Sequence, residues 1–191
     1  MDTTSFLFYC MIATFTPGPT NIMILSTVKN AGARQAMTFS YGATIGFGLL
    51  LVVSAALNSM LMAVMPKVIT ILQIIGSAYM VYLAYKIVSN HSSQATAEQT
   101  ATFRFGVLLQ FLNPKTVLFA LTVIPAFIIP SYSGFAAVSV HIAAITLIGF
   151  SAFLTWVLFG SVLRTFLQKH QKFANLVMAL FLAYAAVMIW T

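Results

Sequence analysis

Apolar residues in this chain fall into six long runs, at about 5–28, 37–62, 67–88, 105–129, 135–162 and 173–190, with short polar stretches between them. Each run holds about 18–28 residues, and about 20 apolar residues in α-helix cross a bilayer. The pattern predicts an all-α membrane protein with six transmembrane helices. Two runs are interrupted. In the first, Phe15-Thr16-Pro17-Gly18-Pro19-Thr20-Asn21 puts two prolines inside an apolar segment. Proline lacks an amide hydrogen, so Pro17 and Pro19 deprive the carbonyls of Ala13 and Phe15 of their helical partners. Gly18 adds backbone freedom between them. In the fourth, Gln110-Phe111-Leu112-Asn113-Pro114-Lys115 repeats the situation, with Pro114 releasing the carbonyl of Gln110. Bared peptide groups survive in hydrocarbon only where protein buries them or a wet cavity solvates them. Broken helices at spans 1 and 4 therefore point to a transport site.

Residues 89–104, polar from Ser89 to Thr102, read as a flexible cytoplasmic linker within a single transmembrane domain covering 1–191. They separate a repeat at about 1–88 from a second at about 105–191. Three spans per half, an odd number, force the halves into opposite orientations. Short matches recur in the same order in both: Phe15 to Thr20 with Phe111 to Thr116, Ile45-Gly46-Phe47 with Ile148-Gly149-Phe150, and Leu83-Ala84-Tyr85 with Leu182-Ala183-Tyr184. Corresponding broken helices in inverted halves are a known pointer to a midplane binding site.

Composition supports the membrane reading. The chain is 61% hydrophobic and 6% charged, against about 25% charged in a soluble domain. Its net charge of +7 arises largely in the loops. Lys29, Arg34, Lys86, Arg104, Arg164, Lys169 and Lys172 fall on one side, and Lys67 alone on the other. The positive-inside rule puts the seven in the cytoplasm and both termini outside it. Such charges orient spans, and no nucleic-acid partner is expected. One cysteine, Cys10, allows no internal disulfide. The start Met-Asp-Thr-Thr-Ser has no basic n-region, so the first run reads as a retained span.

Lys115 is the one basic residue well inside a run, and such a charge usually faces the bundle interior and functions. The alternative is a lysine that snorkels to the interface. Gly42, Gly46 and Gly48, with Gly76, lie at helical spacings that suit close packing, or gating. Asn58, Gln73 and Tyr79 suit hydrogen bonds between helices. Trp156 and Trp190 suit core or interfacial positions. The two acids, Asp2 and Glu98, lie outside the runs, so a coupled proton would need Lys115, His141 or the substrate itself. The spans carry no paired acids, no activated cysteine and no metal-ligating cluster. An intramembrane enzyme is thereby disfavoured, and no metal or cofactor is expected.

On Phe15 to Asn21, Gly42 to Gly48, Gly76-Ser77-Ala78-Tyr79 and Gln110 to Lys115, the sequence resembles the LysE/RhtB family of bacterial amino-acid exporters over essentially its whole length. Its span four, with the continuation Ile-Pro-Ala-Phe-Ile-Ile-Pro, looks closest to the cysteine and O-acetylserine exporter branch. The resemblance implies six helices in inverted repeats, a bacterial inner membrane and outward amino-acid movement by proton antiport. A homodimer is left open. A zwitterionic substrate would place its carboxylate at Lys115 and at the half-helix restarting after Pro19. Its ammonium would meet the carbonyls of Ala13, Phe15 and Gln110. Thr20, Asn21 and Asn113 would complete the site, and one half would rock against the other. The competing class is a non-transporting membrane subunit whose prolines only kink helices.

Overall fold

The computed structural model describes residues 3–89, 101–132 and 134–190, with helix backbone only at 58–69 and 72. Most of the linker, with Asp2, His91 and Glu98, lies outside the described residues, as do the side chains of Asn58 and Lys67. Within them the chain is helical: α1 (Thr3–Phe15), α2 (Pro19–Ala31), α3 (Ala33–Ala56), α4 (Asn58–Val88), α5 (Phe103–Leu112), α6 (Pro114–Val123), α7 (Phe135–Lys169) and α8 (Gln171–Met188). Three of them, α3, α7 and α8, are long and apolar enough to cross a membrane. The pair α5 and α6, bent by 66° at one break, makes a fourth.

Both expected interruptions form. Helix α1 stops at Phe15, and Pro19 opens α2. Proline suits a first helical position, because its missing N–H would have no partner there anyway. Pro114 opens α6 in the same way, and Asn113 before it is extended, with its side chain accepting from the Lys115 amide at 3.1 Å. Other boundaries differ from the hydropathy pattern. The turn between α3 and α4 falls at Leu57, and helix continues through 63–66, where a loop was expected. Helix α7 runs on to Lys169, so Arg164 is helical and stands near Gly32, which takes a positive φ of 91° between α2 and α3. A π-helical turn at Ile124–Ile128, containing Pro125, extends α6 and was not foreseen.

The helices of the two sequence halves interleave. A Cβ on Gly42 would lie 2.0 Å from the Phe103 carbonyl oxygen, one on Gly46 2.6 Å from that of Val107, and one on Gly106 2.3 Å from that of Phe39. The backbones of α3 and α5 therefore touch, as a small-xxx-small pair permits. Helix α2 lies on α7, where Gly160 meets Leu25 and Val28. Gly149 and Thr146 of α7 receive Phe47 and Gly48 of α3. Helix α4 pairs with α8 and touches the remaining helices far less. Gln73 Nε2 donates to the Ile189 carbonyl at 2.6 Å, and Trp190 Nε1 to Ser77 Oγ at 2.8 Å. Gln73 thus joins helices as expected, whereas the Tyr79 hydroxyl is buried with no partner among the described residues.

Candidate functional site

The two interruptions lie against each other. At the end of α1 three carbonyls left without helical amides, those of Thr14, Phe15 and Thr16, are taken up by side chains. Trp156 Nε1 of α7 donates to the Phe15 carbonyl at 3.1 Å. Asn21 Nδ2 reaches back from α2 to the carbonyls of Thr14 at 3.0 Å and Thr16 at 2.8 Å. Across the gap, Lys115 Nζ donates to the Thr16 carbonyl at 2.8 Å and to Thr16 Oγ1 at 2.7 Å. That ammonium caps the carbonyl end of α1, where the helix dipole is negative. The stem of Lys115 crosses Gly18 so closely that a Cβ there would lie 3.0 Å from Lys115 Cδ. A side chain at position 18 would make that stem give by a few tenths of an ångström.

Thr20 links the two breaks. Its Oγ1 accepts from Asn113 Nδ2 at 3.0 Å and from Gln110 Nε2 at 3.1 Å. Thr116 Oγ1 in turn donates to Gln110 Oε1 at 3.3 Å. Gln110, Asn113, Asn21 and Thr20 are 0%, 2%, 3% and 4% exposed. Buried amides are almost always fully paired. Here Asn21 Oδ1 is buried with no hydrogen-bond partner among the described residues, so the cluster holds a spare acceptor.

Two cavities meet at Lys115. One, about 40 Å³, has the polar side chains of Thr14, Asn21, Gln110, Asn113 and Lys115 in its wall, beside Gly18 and apolar residues such as Phe47 and Phe153. It holds a water or two at most. The other, about 550 Å³, is apolar and lined by Tyr9, Ile12, Leu118, Phe181, Tyr184 and Met188 among others. Ala13, Lys115 and Phe119 line both. Drug-sized ligands occupy sites of about 300–1,000 Å³, a range that includes the second cavity alone.

Of the residues expected at a site, Gly18, Thr20, Asn21, Gln110, Asn113 and Lys115 come together around the smaller cavity. Pro17 lines the apolar one, and Pro19 and Pro114 open the two half-helices beside them. Gly76 of α4 packs on the break itself, where a Cβ would lie 2.3 Å from Pro114 Cγ. Gly42 and Gly48 pack between helices away from it, whereas Gly46 packs against the site's Gln110, where a Cβ would lie 3.1 Å from Gln110 Cγ. His141 lines neither cavity. Its Nδ1 donates to the Ala137 carbonyl of its own helix at 2.8 Å, and its ring lies tilted against Tyr132 and edge-on to Phe6.

Thr14 and Phe119 were not singled out in the sequence, and Trp156 was read there only as a core or interfacial aromatic. Trp156 carried a usable signal, since a buried indole N–H normally finds an acceptor. Lys29 is a further surprise. Read as a loop charge, it is instead 2% exposed in the last turn of α2. Its Nζ donates to Asn175 Oδ1 of α8, and Gln168 Nε2 of α7 donates to its carbonyl at 2.9 Å.

Cysteine/O-acetylserine efflux proteins are similar to this chain. Those of Escherichia coli strain K12 and Shigella flexneri serotype 5b are each 29% identical over 187 residues, covering 97% of this chain and 96% of the relative. No solved structure matches the chain. The family model for LysE type translocators matches residues 11–191, from the middle of α1 to the last residue. With both signature breaks inside the matched region, the chain belongs to the LysE translocator family and is a membrane transporter, not an enzyme.

Proposed function

We propose that this protein exports small neutral amino acids or their derivatives, of the cysteine and O-acetylserine or homoserine and threonine type, across a bacterial inner membrane. The observation that carries this reading is the contact between the two interruptions, with the Lys115 ammonium on the carbonyl end of α1. The similarity to cysteine/O-acetylserine efflux proteins supports the substrate class. In the same reading the chain makes six crossings as two inverted repeats, with both termini in the periplasm.

The site is suited to a zwitterion. The carboxylate pairs with Lys115 and with the amide end of α2 beyond Pro19. The ammonium pairs with the Thr16 carbonyl and with Asn21 Oδ1, the acceptor that has no partner among the described residues. Because Lys115 already occupies Thr16, an arriving ammonium displaces it and turns the lysine toward the carboxylate. A tethered cation then holds the site whenever substrate is absent.

Export proceeds by alternating access coupled to proton antiport. Rocking of one sequence half against the other fits poorly with the backbone contact of α3 on α5 and the packing of α2 on α7. The pair α4 and α8, joined to each other and only lightly to the rest, is the better moving body. The apolar cavity opens between that pair and α1 and α6, while Lys29 and Asn175 tie α2 to α8 at the opposite, basic end. This arrangement suits an outward-open state. Coupling falls to Lys115 or the substrate, since His141 lines neither cavity. Homodimer formation belongs to the same reading and is checked by the mass of the purified particle.

The test is efflux from proteoliposomes loaded with a panel of amino acids, with and without an imposed pH gradient. We expect efflux of cysteine, O-acetylserine, homoserine or threonine, faster with protons supplied outside. Release no faster than from empty liposomes overturns the reading in favour of a non-transporting subunit.

A further inference from the structure

We infer that Lys29 is a second carboxylate-binding station, at the cytoplasmic entrance, which takes the amino acid's carboxylate before Lys115 does; this rests on the exporter reading above. Lys29 is 2% exposed, and buried charges are ordinarily paired with an opposite charge. Its acceptor among the described residues is a neutral amide oxygen, Asn175 Oδ1 of α8. The sequence has two acids, Asp2 and Glu98, and neither lies among the described residues. No described carboxylate therefore stands beside this ammonium. Burial between α2, α7 and α8 also keeps lipid phosphates away from it, which leaves the substrate as the source of an anion.

The position suits a loading step. Lys29 lies in the last turn of α2, the helix that Pro19 opens at the first break. Along the axis of α2 Lys29 stands about 15 Å from Pro19, from the helical rise per residue. Gln168 Nε2 of α7 holds the Lys29 carbonyl at 2.9 Å, which fixes the end of α2. Asn175, by contrast, rides on α8, one of the two helices assigned to the moving body. When α8 withdraws, the ammonium gives up its amide partner and faces the opened entrance, where a carboxylate is the stronger acceptor. Return of α8 then exchanges that carboxylate for Asn175 Oδ1 and passes the substrate inward to Lys115. A neutral acceptor suits this role, because an acid at position 175 would hold Lys29 against every arriving substrate.

The test is uptake of labelled O-acetylserine or threonine, whichever enters faster, by everted membrane vesicles, which present the cytoplasmic face outward. Lys29→Met should raise the half-saturating concentration at least about tenfold, as loss of a bond to a charged group does, and change the maximal rate far less. Lys29→Arg, which keeps the charge, should raise it much less. Asn175→Asp should raise it as well, because a tethered carboxylate then competes with the substrate's. That variant keeps the test open if Lys29→Met fails to fold, judged by its elution profile. A purely structural contact predicts lower stability in Lys29→Met with half-saturation unchanged, and that result overturns the inference and leaves the exporter reading standing. Unchanged half-saturation in well-folded Asn175→Asp does the same. So does an equal defect in Glu98→Gln, which would make Glu98 the anion that serves Lys29. No uptake of any amino acid by the wild type, above vesicles without the protein, overturns the exporter reading itself and this inference with it.

Discussion

Lys115 and Thr16, 99 positions apart in sequence, hold each other across the gap between two broken helices, through Nζ to the Thr16 carbonyl at 2.8 Å and to its hydroxyl at 2.7 Å. A hydrogen bond from a charged group contributes about 1.5–3 kcal/mol. Lys115→Met keeps the length of the side chain and removes both bonds and the charge. We expect efflux to fall at least about tenfold, the rate change that 1.4 kcal/mol produces, while the protein still inserts and elutes as one species. Export at the wild-type rate would remove Lys115 from the site.

The break in the first span depends on two prolines. Replacing both Pro17 and Pro19 with Ala gives positions 17 and 19 amide hydrogens and lets α1 and α2 join into one helix. Asn21 and Trp156 then compete with backbone donors for the carbonyls of Thr14 and Phe15. We expect a well-inserted protein whose efflux is down at least about tenfold. Full activity in reconstituted vesicles would count against the broken-helix mechanism.

The contact between α3 and α5 is made by backbone on backbone, so its glycines have no room to change. A Cβ on Gly42 or Gly106 would stand within 2.3 Å of a main-chain oxygen, and neither oxygen can swing aside. Gly42→Ala and Gly106→Ala should each cost about 1–3 kcal/mol, the usual penalty of overpacking. Gly134→Ala provides a contrast, because nothing lies within 4 Å of its Cβ, although its φ of 113° adds some strain. Thermal unfolding in detergent reads these differences. Equal melting temperatures for Gly42→Ala and the wild type would refute the close contact.

Lys29 and Asn175 offer a test by pairs. Asn175→Leu leaves the buried ammonium without its acceptor, at a cost of about 3 kcal/mol. Lys29→Met in the same chain removes the stranded charge and should recover most of the loss. A double-mutant cycle on melting temperature measures the coupling. Additive effects would mean the two side chains act independently. If the pair also tethers the moving helices, each single variant should alter efflux as well as stability.

Both interruptions were legible in the sequence because proline acts locally: its effect on the residue four positions back depends on no distant partner. Lys115 was legible too, since one charge within an apolar run stands out against its neighbours. The partners of the exposed carbonyls were not. Trp156 and Asn21 answer Phe15, Thr14 and Thr16 from α7 and α2, and only the assembled bundle says which donor reaches which acceptor. Lys29 misled for the same reason, because its burial depends on Asn175 and Gln168, far along the chain. The turn at Leu57 was misplaced because the hydropathy pattern continues across it. The matched motifs of the two halves hinted at a relation between them, yet gave no sign that each helix would pack on one from the other half.

That exchange of partners between halves bears on how the protein is made. Helices α1 to α4 leave the ribosome before α5, α7 and α8 exist, so the glycine face of α3, the Gly160-facing side of α2 and the whole contact surface of α4 wait in the bilayer uncovered. Most of the contacts between helices can form only once helices of the second half have been inserted. A chain severed in the 89–104 segment should therefore yield fragments that are each unstable when produced alone, yet reassemble into a working transporter when produced together.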